Sequence, residues 1–279
     1  MERISFVNGE FLPHSQCFVH IEDRGFQFAD GVYEVILFKN NKLIDIEWHL
    51  ERLFRSLAEL EIKFNHNKDY LKTIILELFT KNNLKDGSVY LQITRGANPR
   101  QPAFPNSYTP TITATVSPLK ALSQEASQGL TVTTHQDIRW QRCDIKSTAL
   151  LASSWIKQKT LEAGADDAIL VRDGFVTEAT FANVFIVDQK GALVTRKADH
   201  FMLCGITRNR IVDLAKKNGV AVLEKKFTVD EMFAAKEVFL SSTTLLIRSV
   251  CKIDGRIIGN GKVGEISKKL LTLYNNFIN

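Results

Sequence analysis

Proline use divides this chain into two parts. All six prolines lie within the first 118 of its 279 residues. Residues 119–128 are mostly small and polar, and an apolar, strand-like run follows Gly129. A composition shift of this kind is typical of a boundary between domains. We therefore predict a small N-terminal domain over residues 1–118, a linker over 119–128 and a larger domain over 129–279.

The first part mixes helices with strands. Apolar side chains recur at spacings of four and three from Ile46 to Leu60, and a similar pattern covers residues 68–82. This spacing places the apolar side chains on one face of a helix. Strands are predicted at residues 4–8, 32–38, 89–93 and 111–116, with a turn at Asn40-Asn41.

The second part follows the same mixed pattern. Helices are predicted over residues 147–162, from Ile206 to a stop at Gly219, and in the terminal stretch that contains Val263 and Tyr274. Strands are predicted at 130–133, 168–171 and 184–187, and turns at Asp173-Gly174, Lys190-Gly191 and Asp254-Gly255. Because no regular βαβ repeat appears, we predict two α+β domains rather than a doubly wound sheet.

Composition excludes several classes of protein. The hydrophobic fraction of 44% and the charged fraction of 24% are those of a soluble globular protein. No apolar run approaches the ~20 residues that span a bilayer, and no secretory signal is visible, so we expect a cytoplasmic protein without a membrane partner. The net charge of +5 is dispersed, which argues against nucleic-acid binding. Four scattered cysteines and six scattered histidines predict no metal site.

Residues 259–264 (GNGKVG) match the dinucleotide-binding pattern letter for letter. In a dinucleotide-binding βαβ unit an acidic residue lies about 20 residues after the glycines. Only 15 residues remain after Gly264, so no acidic residue can occupy that position here. We interpret this segment as a glycine-rich loop before the last helix.

A lysine beside an acid, Asp144-Ile145-Lys146, is the first candidate catalytic feature. Only an uncharged amine attacks a carbonyl, and the nearby Arg139 and Arg142 together with partial burial are expected to lower the pKa of Lys146. Taken alone, the segment fits a surface ion pair between Asp144 and Lys146 equally well.

Several further polar residues indicate a functional site only when they are considered together. Glu178 follows a predicted hairpin turn, and Arg52 lies on the leucine-rich helix. The run 205–208 (GITR) begins a helix, where backbone N–H groups favour a phosphate. Hydroxyl groups at 241–244 (SSTT) follow a predicted strand and are also suited to a phosphate.

Together these motifs resemble the fold-type IV pyridoxal-phosphate aminotransferases, and within them most closely the D-amino acid branch. The matching segments are EDRGFQFADGVYE at 22–34, TRG at 94–96, PR at 99–100, IRW at 138–140 through KS at 146–147, VTE at 176–178, NVF at 183–185, GITR at 205–208, STT at 242–244 and GKVGE at 261–265. The family's architecture has a small N-terminal α/β domain and a larger domain with a barrel-like sheet.

The resemblance implies pyridoxal 5'-phosphate as the cofactor. Lys146 would hold it as a Schiff base, and Glu178 would pair with its ring nitrogen. The remaining implied cofactor contacts are Arg52, Leu203, Ile206, Thr207, Thr243 and Thr244.

The resemblance also implies the reaction: a D-amino acid such as D-alanine passes its amino group to a 2-oxo acid such as 2-oxoglutarate. Tyr33 would lie near the Schiff base and the substrate carboxylate. Arg100 would bind that carboxylate across the interface of a homodimer, as a charge-assisted pair. Amino acids, oxo acids and a second copy of the chain are thus the expected partners.

Three positions depart from the family pattern. Pro102 stands where the carboxylate-binding loop usually carries histidine, and proline has no side-chain donor. Phe181 is bulky where a small hydroxyl residue is usual, and either narrows the pocket or turns into the core. Arg248 replaces a smaller residue. An aminodeoxychorismate lyase and a branched-chain L-aminotransferase are the alternatives within the same fold. The net charge of +5 adds a cofactor-free binding or nucleic-acid protein as an alternative of a different class.

Overall fold

The computed structural model describes residues 2–119 and 129–279. Residues 120–128, which include most of the predicted linker, lie outside this range. The chain divides into two compact units, Met1–Lys120 with Ile145–Ala149, and Ala121–Asp144 with Leu150–Asn279. The short segment Ile145–Ala149 thus joins the first unit, whereas the predicted domain bounds assign it to the second. The division into a domain over residues 1–118 and a domain over residues 129–279 stays a prediction.

The first unit is built on a six-stranded sheet. Its strands are β1 (Ile4–Val7), β2 (Glu10–Pro13), β3 (Gly31–Lys39), β4 (Lys42–Leu43), β5 (Gly87–Thr94) and β6 (Thr111–Pro118). They are arranged in the order β2-β1-β6-β5-β3-β4, and all neighbours are antiparallel. At the β3–β4 turn, Asn40 and Asn41 adopt φ values of 49° and 60°, which suit a tight hairpin. The predicted turn is confirmed.

The helices of this unit are α1 (Arg24–Phe28), α2 (Ile46–Glu59) and α3 (Lys68–Lys81). The apolar stripe of α2 is buried, and the exposed fractions of Leu50, Leu53 and Leu57 are 0%, 0% and 2%. Asn67 precedes α3, and its side chain accepts a hydrogen bond from the Tyr70 N–H and so caps the helix. Both helices contribute to one core with the sheet, as their spacing predicted.

The second unit is built on a mixed, nine-stranded sheet. Its strands are β7 (Leu130–Gln136), β8 (Asp167–Arg172), β9 (Phe175–Ala179), β10 (Asn183–Val187), β11 (Leu193–Thr195), β12 (Val222–Glu224), β13 (Glu237–Ser242), β14 (Leu246–Ile253) and β15 (Arg256–Ile257). The order is β12-β11-β10-β13-β14-β7-β8-β9, with β15 paired to β14. The pairs β11–β12, β14–β7 and β7–β8 are parallel. The helices are α4 (Leu151–Glu162), α5 (Ile206–Lys217), α6 (Val229–Phe233) and α7 (Glu265–Ile278).

Predicted hairpins in this unit are confirmed. Asp173 and Gly174, at φ 52° and 77°, join β8 to the antiparallel β9. Asp254-Gly255 joins β14 to β15, and the turn at Lys190-Gly191 joins β10 to β11.

The glycine-rich segment 259–264 lies in the loop before α7, as expected. The first amides of this helix already have a partner within the protein. The Glu237 side chain accepts from the N–H groups of Ile266 and Ser267, at 2.9 Å each. A carboxylate of the chain itself therefore occupies the position that a phosphate would need.

One helix begins later than predicted. The pattern indicated a helix from residue 147, whereas α4 begins at Leu151. The preceding residues are engaged with β3 instead, since the Tyr33 N–H donates to the Lys146 carbonyl and the Thr148 N–H to the Gly31 carbonyl, at 3.0 Å each. Within residues 2–119 and 129–279, no helix combines the length and apolar character needed to cross a bilayer.

Shortening Leu53 to Ala should destabilise the protein by about 2–5 kcal/mol, because the truncation leaves a cavity under α2. The matched variant is Leu76→Ala on α3, where the leucine is 44% exposed, and its effect should stay within about 0.5 kcal/mol. Urea denaturation of both variants measures the difference. Equal losses of unfolding free energy in the two variants would show that the apolar stripe of α2 does not stabilise the core.

Candidate active site

Lys146 is fixed through its backbone in the first unit. Its carbonyl accepts from the Tyr33 N–H, and its own N–H donates to the Ser56 hydroxyl at 3.3 Å. Ser147 forms a bridge with Val32 beside it. The side chain is half-buried, and its Nζ lies 4.3 Å from the centroid of the Tyr33 ring. The first unit thus brings together two predicted site residues, a lysine and a tyrosine.

Tyr33 is buried in β3, where its ring stacks on Tyr90 at a centroid distance of 5.3 Å. Burial raises the pKa of the Tyr90 hydroxyl to about 12. Tyr33 is therefore a packed strand residue and also the aromatic neighbour of the Lys146 amine.

Arg52 is buried against a carboxylate that the motif analysis did not assign. Its Nε and Nη2 donate to the two carboxylate oxygens of Glu34, both at 2.8 Å, and His49 Nδ1 lies 2.7 Å from the same group. Burial raises the pKa of Glu34, but Arg52 and His49 outweigh it and hold the pKa at about 2. This bidentate pair fixes the direction of the Arg52 guanidinium.

The second unit surrounds Glu178 with donors. Arg139 Nη1 contacts Glu178 Oε1, while the Leu203 N–H and Asn183 Nδ2 donate to Oε2 at 3.2 and 3.4 Å. Burial raises the pKa of the Glu178 carboxyl, and Arg139 and the Leu203 amide oppose that rise. A buried carboxyl group with a cationic partner is suited to accept a hydrogen bond from a protonated ring nitrogen.

The start of α5 is shaped for an anion. No side chain caps this helix at Gly205, no acidic residue lies in its first turn, and Ile206 and Thr207 are buried there. A Cβ at Gly205 would approach Asn183 Oδ1 to 2.1 Å, so only glycine fits beside this asparagine. Amides at an uncapped helix start favour a phosphate group.

Thr243 and Thr244 lie in the turn between β13 and β14, with Thr243 partly buried and Thr244 exposed. The register pairs Ser241 with Asn183, which places the end of β13 beside the residue that supports Glu178. The buried Ser241 hydroxyl has no hydrogen-bond partner among the described residues. These hydroxyl groups and the α5 amides fit a phosphate, and Glu178 fits a pyridine nitrogen.

Two arginines near Lys146 in sequence, Arg139 and Arg142, are paired with carboxylates. Arg142 binds Asp144 through Nε and Nη2, at 3.0 and 3.1 Å. Arg139 binds Asp137 as well as Glu178. Carboxylates thus offset both charges, and the expected lowering of the Lys146 pKa stays a prediction.

The three departures from the family pattern have distinct positions. Phe181 is 45% exposed and does not turn into the core. Arg248 is buried in β14, opposite Leu240. Pro102 lies in the exposed loop with Arg100, whose guanidinium carbon is 5.3 Å from the centroid of the Phe28 ring.

Sequence reasoning missed Glu34, His49 and Asn183. Glu34 offered a signal, because an acid inside the apolar strand 31–38 must find a buried partner. Asn183 offered none, since its contacts with Glu178 and the Leu203 carbonyl join distant parts of the chain. In the described parts of the chain, no group of three or more His, Cys, Asp or Glu side chains could hold a metal ion.

Comparison with solved structures identifies the fold. A branched-chain amino acid aminotransferase from Escherichia coli superposes with a TM-score of 0.91 at 23% identity, covering 100% of this chain and 95% of that one. Another branched-chain amino acid aminotransferase, solved with pyridoxamine 5'-phosphate, also superposes with a TM-score of 0.91, at 24% identity, covering 100% and 94%. The chain therefore has the two-domain α+β architecture of the fold-type IV aminotransferases.

Comparison of sequences gives the family. The model of amino-transferase class IV matches residues 31–253, so this chain belongs to that family. A D-alanine aminotransferase of Bacillus licheniformis is 42% identical over 271 residues, covering 97% of this chain and 95% of the relative. A D-alanine aminotransferase of Listeria monocytogenes is 40% identical over 267 residues, covering 95% and 92%.

The buried histidine of the first unit predicts a pH dependence. Burial lowers the pKa of His49 below its usual 6.5. The Glu34 carboxylate raises this pKa, whereas the charges of Arg52 and Lys146 lower it further. As the pH falls through 6.5, the unfolded chain gains a proton that folded His49 does not, so stability present above that pH is lost. Replacing His49 with Gln should reduce the loss of unfolding free energy between about pH 7.5 and about pH 5.5.

The control for this prediction is His66→Gln, because His66 is exposed. Denaturant titrations at each pH should give this variant the pH dependence of the wild type. A His49→Gln protein with an unchanged slope would show that His49 titrates normally in the fold.

Proposed function

We propose that this chain is a D-amino acid transaminase that uses pyridoxal 5'-phosphate. It moves the amino group of a D-amino acid, such as D-alanine, to a 2-oxo acid, such as 2-oxoglutarate or pyruvate. The family match and the names of the relatives at 40–42% identity support this activity. The structural observation that carries it is Lys146, held by its backbone with its amine 4.3 Å from the Tyr33 ring centroid.

Lys146 is the proposed catalytic residue. When bound, pyridoxal 5'-phosphate supplies an electron sink for the electron pair left at the substrate α-carbon. The Lys146 amine would hold the cofactor between turnovers and, as a free amine, would take up the proton that leaves the substrate α-carbon. Its tethering to Tyr33 and Ser56 through the backbone leaves the motion to the side chain alone.

The other proposed cofactor contacts divide by chemistry. Glu178 would accept a hydrogen bond from the protonated ring nitrogen, with Arg139 offsetting the buried charge of the carboxylate. The amides of Ile206 and Thr207, the hydroxyls of Thr243 and Thr244, and Arg52 hold the phosphate. Leu203 packs on the ring while its N–H holds Glu178.

The substrate carboxylate is assigned to Tyr33 and Arg100. Arg100 is exposed in the β5–β6 loop, and we propose that it serves the site of the partner subunit in a homodimer. Pro102 adds no side-chain donor, so the Arg100 guanidinium carries this contact without histidine.

The alternatives are a branched-chain L-aminotransferase and an aminodeoxychorismate lyase. The similarity to branched-chain enzymes, at 23% and 24% identity, shows the fold alone and does not favour their substrates. We retain D-amino acid transfer because the relatives that cover nearly the whole chain carry that name. The cytoplasmic location also stays a prediction, which cell fractionation tests.

An assay of oxo-acid release tests the activity. The purified protein with pyridoxal 5'-phosphate and 2-oxoglutarate should release pyruvate from D-alanine but not from L-alanine. Replacing Lys146 with Ala should lower kcat by roughly 100- to 10000-fold, because the proton-transfer group is lost. It should also remove the visible absorbance band of the bound cofactor.

The matched control is Lys190→Ala, at an exposed hairpin turn, which should retain wild-type turnover. Strict turnover of L-leucine would identify the branched-chain activity instead. Pyruvate release from aminodeoxychorismate without an amino acceptor would identify the lyase.

The homodimer is testable through exposed apolar side chains of the first unit. Phe18, Ile21 and Phe26 are 78%, 73% and 76% exposed, which is unusual for large apolar groups so close in sequence. Light scattering should give a mass about twice 31.5 kDa. Phe26→Asp should shift the protein toward monomer, whereas Ile257→Asp, at another exposed apolar residue, should not. A dimer unchanged by Phe26→Asp would place the interface elsewhere.

A further inference from the structure

The loop that carries Arg100 has little structure of its own. It spans residues 95–110 between β5 and β6, all of them described, and contains no helix or strand. Four of its residues are proline, which has no N–H to donate. A loop of this length needs external anchors if it is to present one side chain in a fixed place.

Arg24 supplies such an anchor. It is only 2% exposed, and its guanidinium binds three consecutive carbonyls directly after Arg100. Nη1 donates to the Gln101 carbonyl at 2.6 Å and to the Ala103 carbonyl at 3.4 Å, and Nη2 donates to the Pro102 carbonyl at 3.4 Å. One rigid, planar group thus fixes the tip of the loop.

Arg24 is itself fixed by hydrogen bonds to the rest of the first unit. Its Nε donates to Asp30 Oδ2 at 2.7 Å, and its backbone N–H donates to the Gly96 carbonyl at 3.0 Å. Arg95 Nε holds the same Asp30 oxygen at 2.7 Å. Buried charge-assisted bonds of this kind restrict the guanidinium to one orientation.

An aromatic ring links Arg24 to Arg100. The guanidinium carbon of Arg24 lies 4.6 Å from the centroid of Phe28, and that of Arg100 lies 5.3 Å from the same centroid. Both distances are within the range of cation–π contacts. The Arg100 head group therefore rests on a ring that Arg24 also contacts.

We propose that Arg24 is a positioning residue for Arg100 and so determines affinity for the substrate carboxylate. This inference rests on the proposed function, in which Arg100 binds that carboxylate. Because Pro102 contributes no side-chain donor, a displaced Arg100 has no histidine beside it to compensate. Arg24 does not bind the substrate itself, since it is buried and its donors serve Asp30 and the three carbonyls.

The test is a double-mutant cycle on the holoenzyme with D-alanine as substrate. Arg100→Gln should raise KM by roughly 10- to 100-fold, because a charge-assisted bond is lost. Arg24→Lys retains the charge near Asp30 but cannot span three carbonyls, and should raise KM by about fivefold or more with kcat within about twofold of the wild type. In the Arg100→Gln background, Arg24→Lys should add nothing, because it acts through Arg100.

Two further proteins separate positioning from general damage. Arg196→Lys alters another buried arginine, which binds Asp199 and the Val176 carbonyl in the second unit, and should leave KM unchanged. Phe28→Leu removes the shared ring without touching the carbonyl contacts, and should raise KM as Arg24→Lys does. Melting temperature and cofactor absorbance identify any variant that fails to fold. If Arg24→Lys does not fold, the double-mutant cycle is measured with Phe28→Leu and Arg100→Gln instead.

The outcomes distinguish this inference from the proposed function. If Arg100→Gln leaves KM unchanged, the assigned role of Arg100 is wrong and the inference falls with it. If Arg100→Gln raises KM while Arg24→Lys does not, or while the two effects multiply, the inference alone is wrong. A fall in kcat with unchanged KM in Arg24→Lys would also overturn it.

Discussion

The pairing of Ile145–Ala149 with the start of β3 is the contact that positions Lys146 in the first unit. Two backbone hydrogen bonds, from Tyr33 to the Lys146 carbonyl and from Thr148 to the Gly31 carbonyl, determine where the lysine lies. Ile145 extends this attachment into the hydrophobic core of the unit. The side chain that we propose to hold the cofactor and move a proton is thus attached to a backbone that has little freedom of its own.

Buried carboxylates with basic partners recur across the chain. Glu34 is held by Arg52 and His49, Asp30 by Arg24 and Arg95, and Glu178 by Arg139. Removing the carboxylate of such a group leaves its arginine as an uncompensated buried charge, which is strongly destabilising. In each case the acid also fixes the direction of a guanidinium, so these pairs orient donors as well as neutralise charge.

Local patterns in the sequence were enough to predict the elements that rest on local chemistry. The leucine stripe of α2 and the Asp173-Gly174 turn depend on spacing and on backbone preference, and both are confirmed. The start of α4 could not be predicted, because β3 engages the residues before it and tertiary pairing overrides helix propensity.

The chemistry of the candidate site followed from a set of motifs, but its supporting contacts did not. Lys146 and Tyr33 do lie together within the first unit. The sequence does not show that Arg139 and Arg142 both face carboxylates. Asn183, Glu34 and the carbonyl contacts of Arg24 join residues that are distant in sequence, and no periodicity reports such pairs.

The position of Ile145–Ala149 has a consequence for synthesis on the ribosome. Residues 1–118 emerge well before this segment, so the six-stranded sheet and its two long helices exist for a time without the chain that covers the first residues of β3. Val32 and the core position of Ile145 then lack their partners until part of the second unit has also been made. The nascent first unit is thus incomplete when it leaves the exit tunnel, and the segment that completes it also carries Lys146, the proposed catalytic residue.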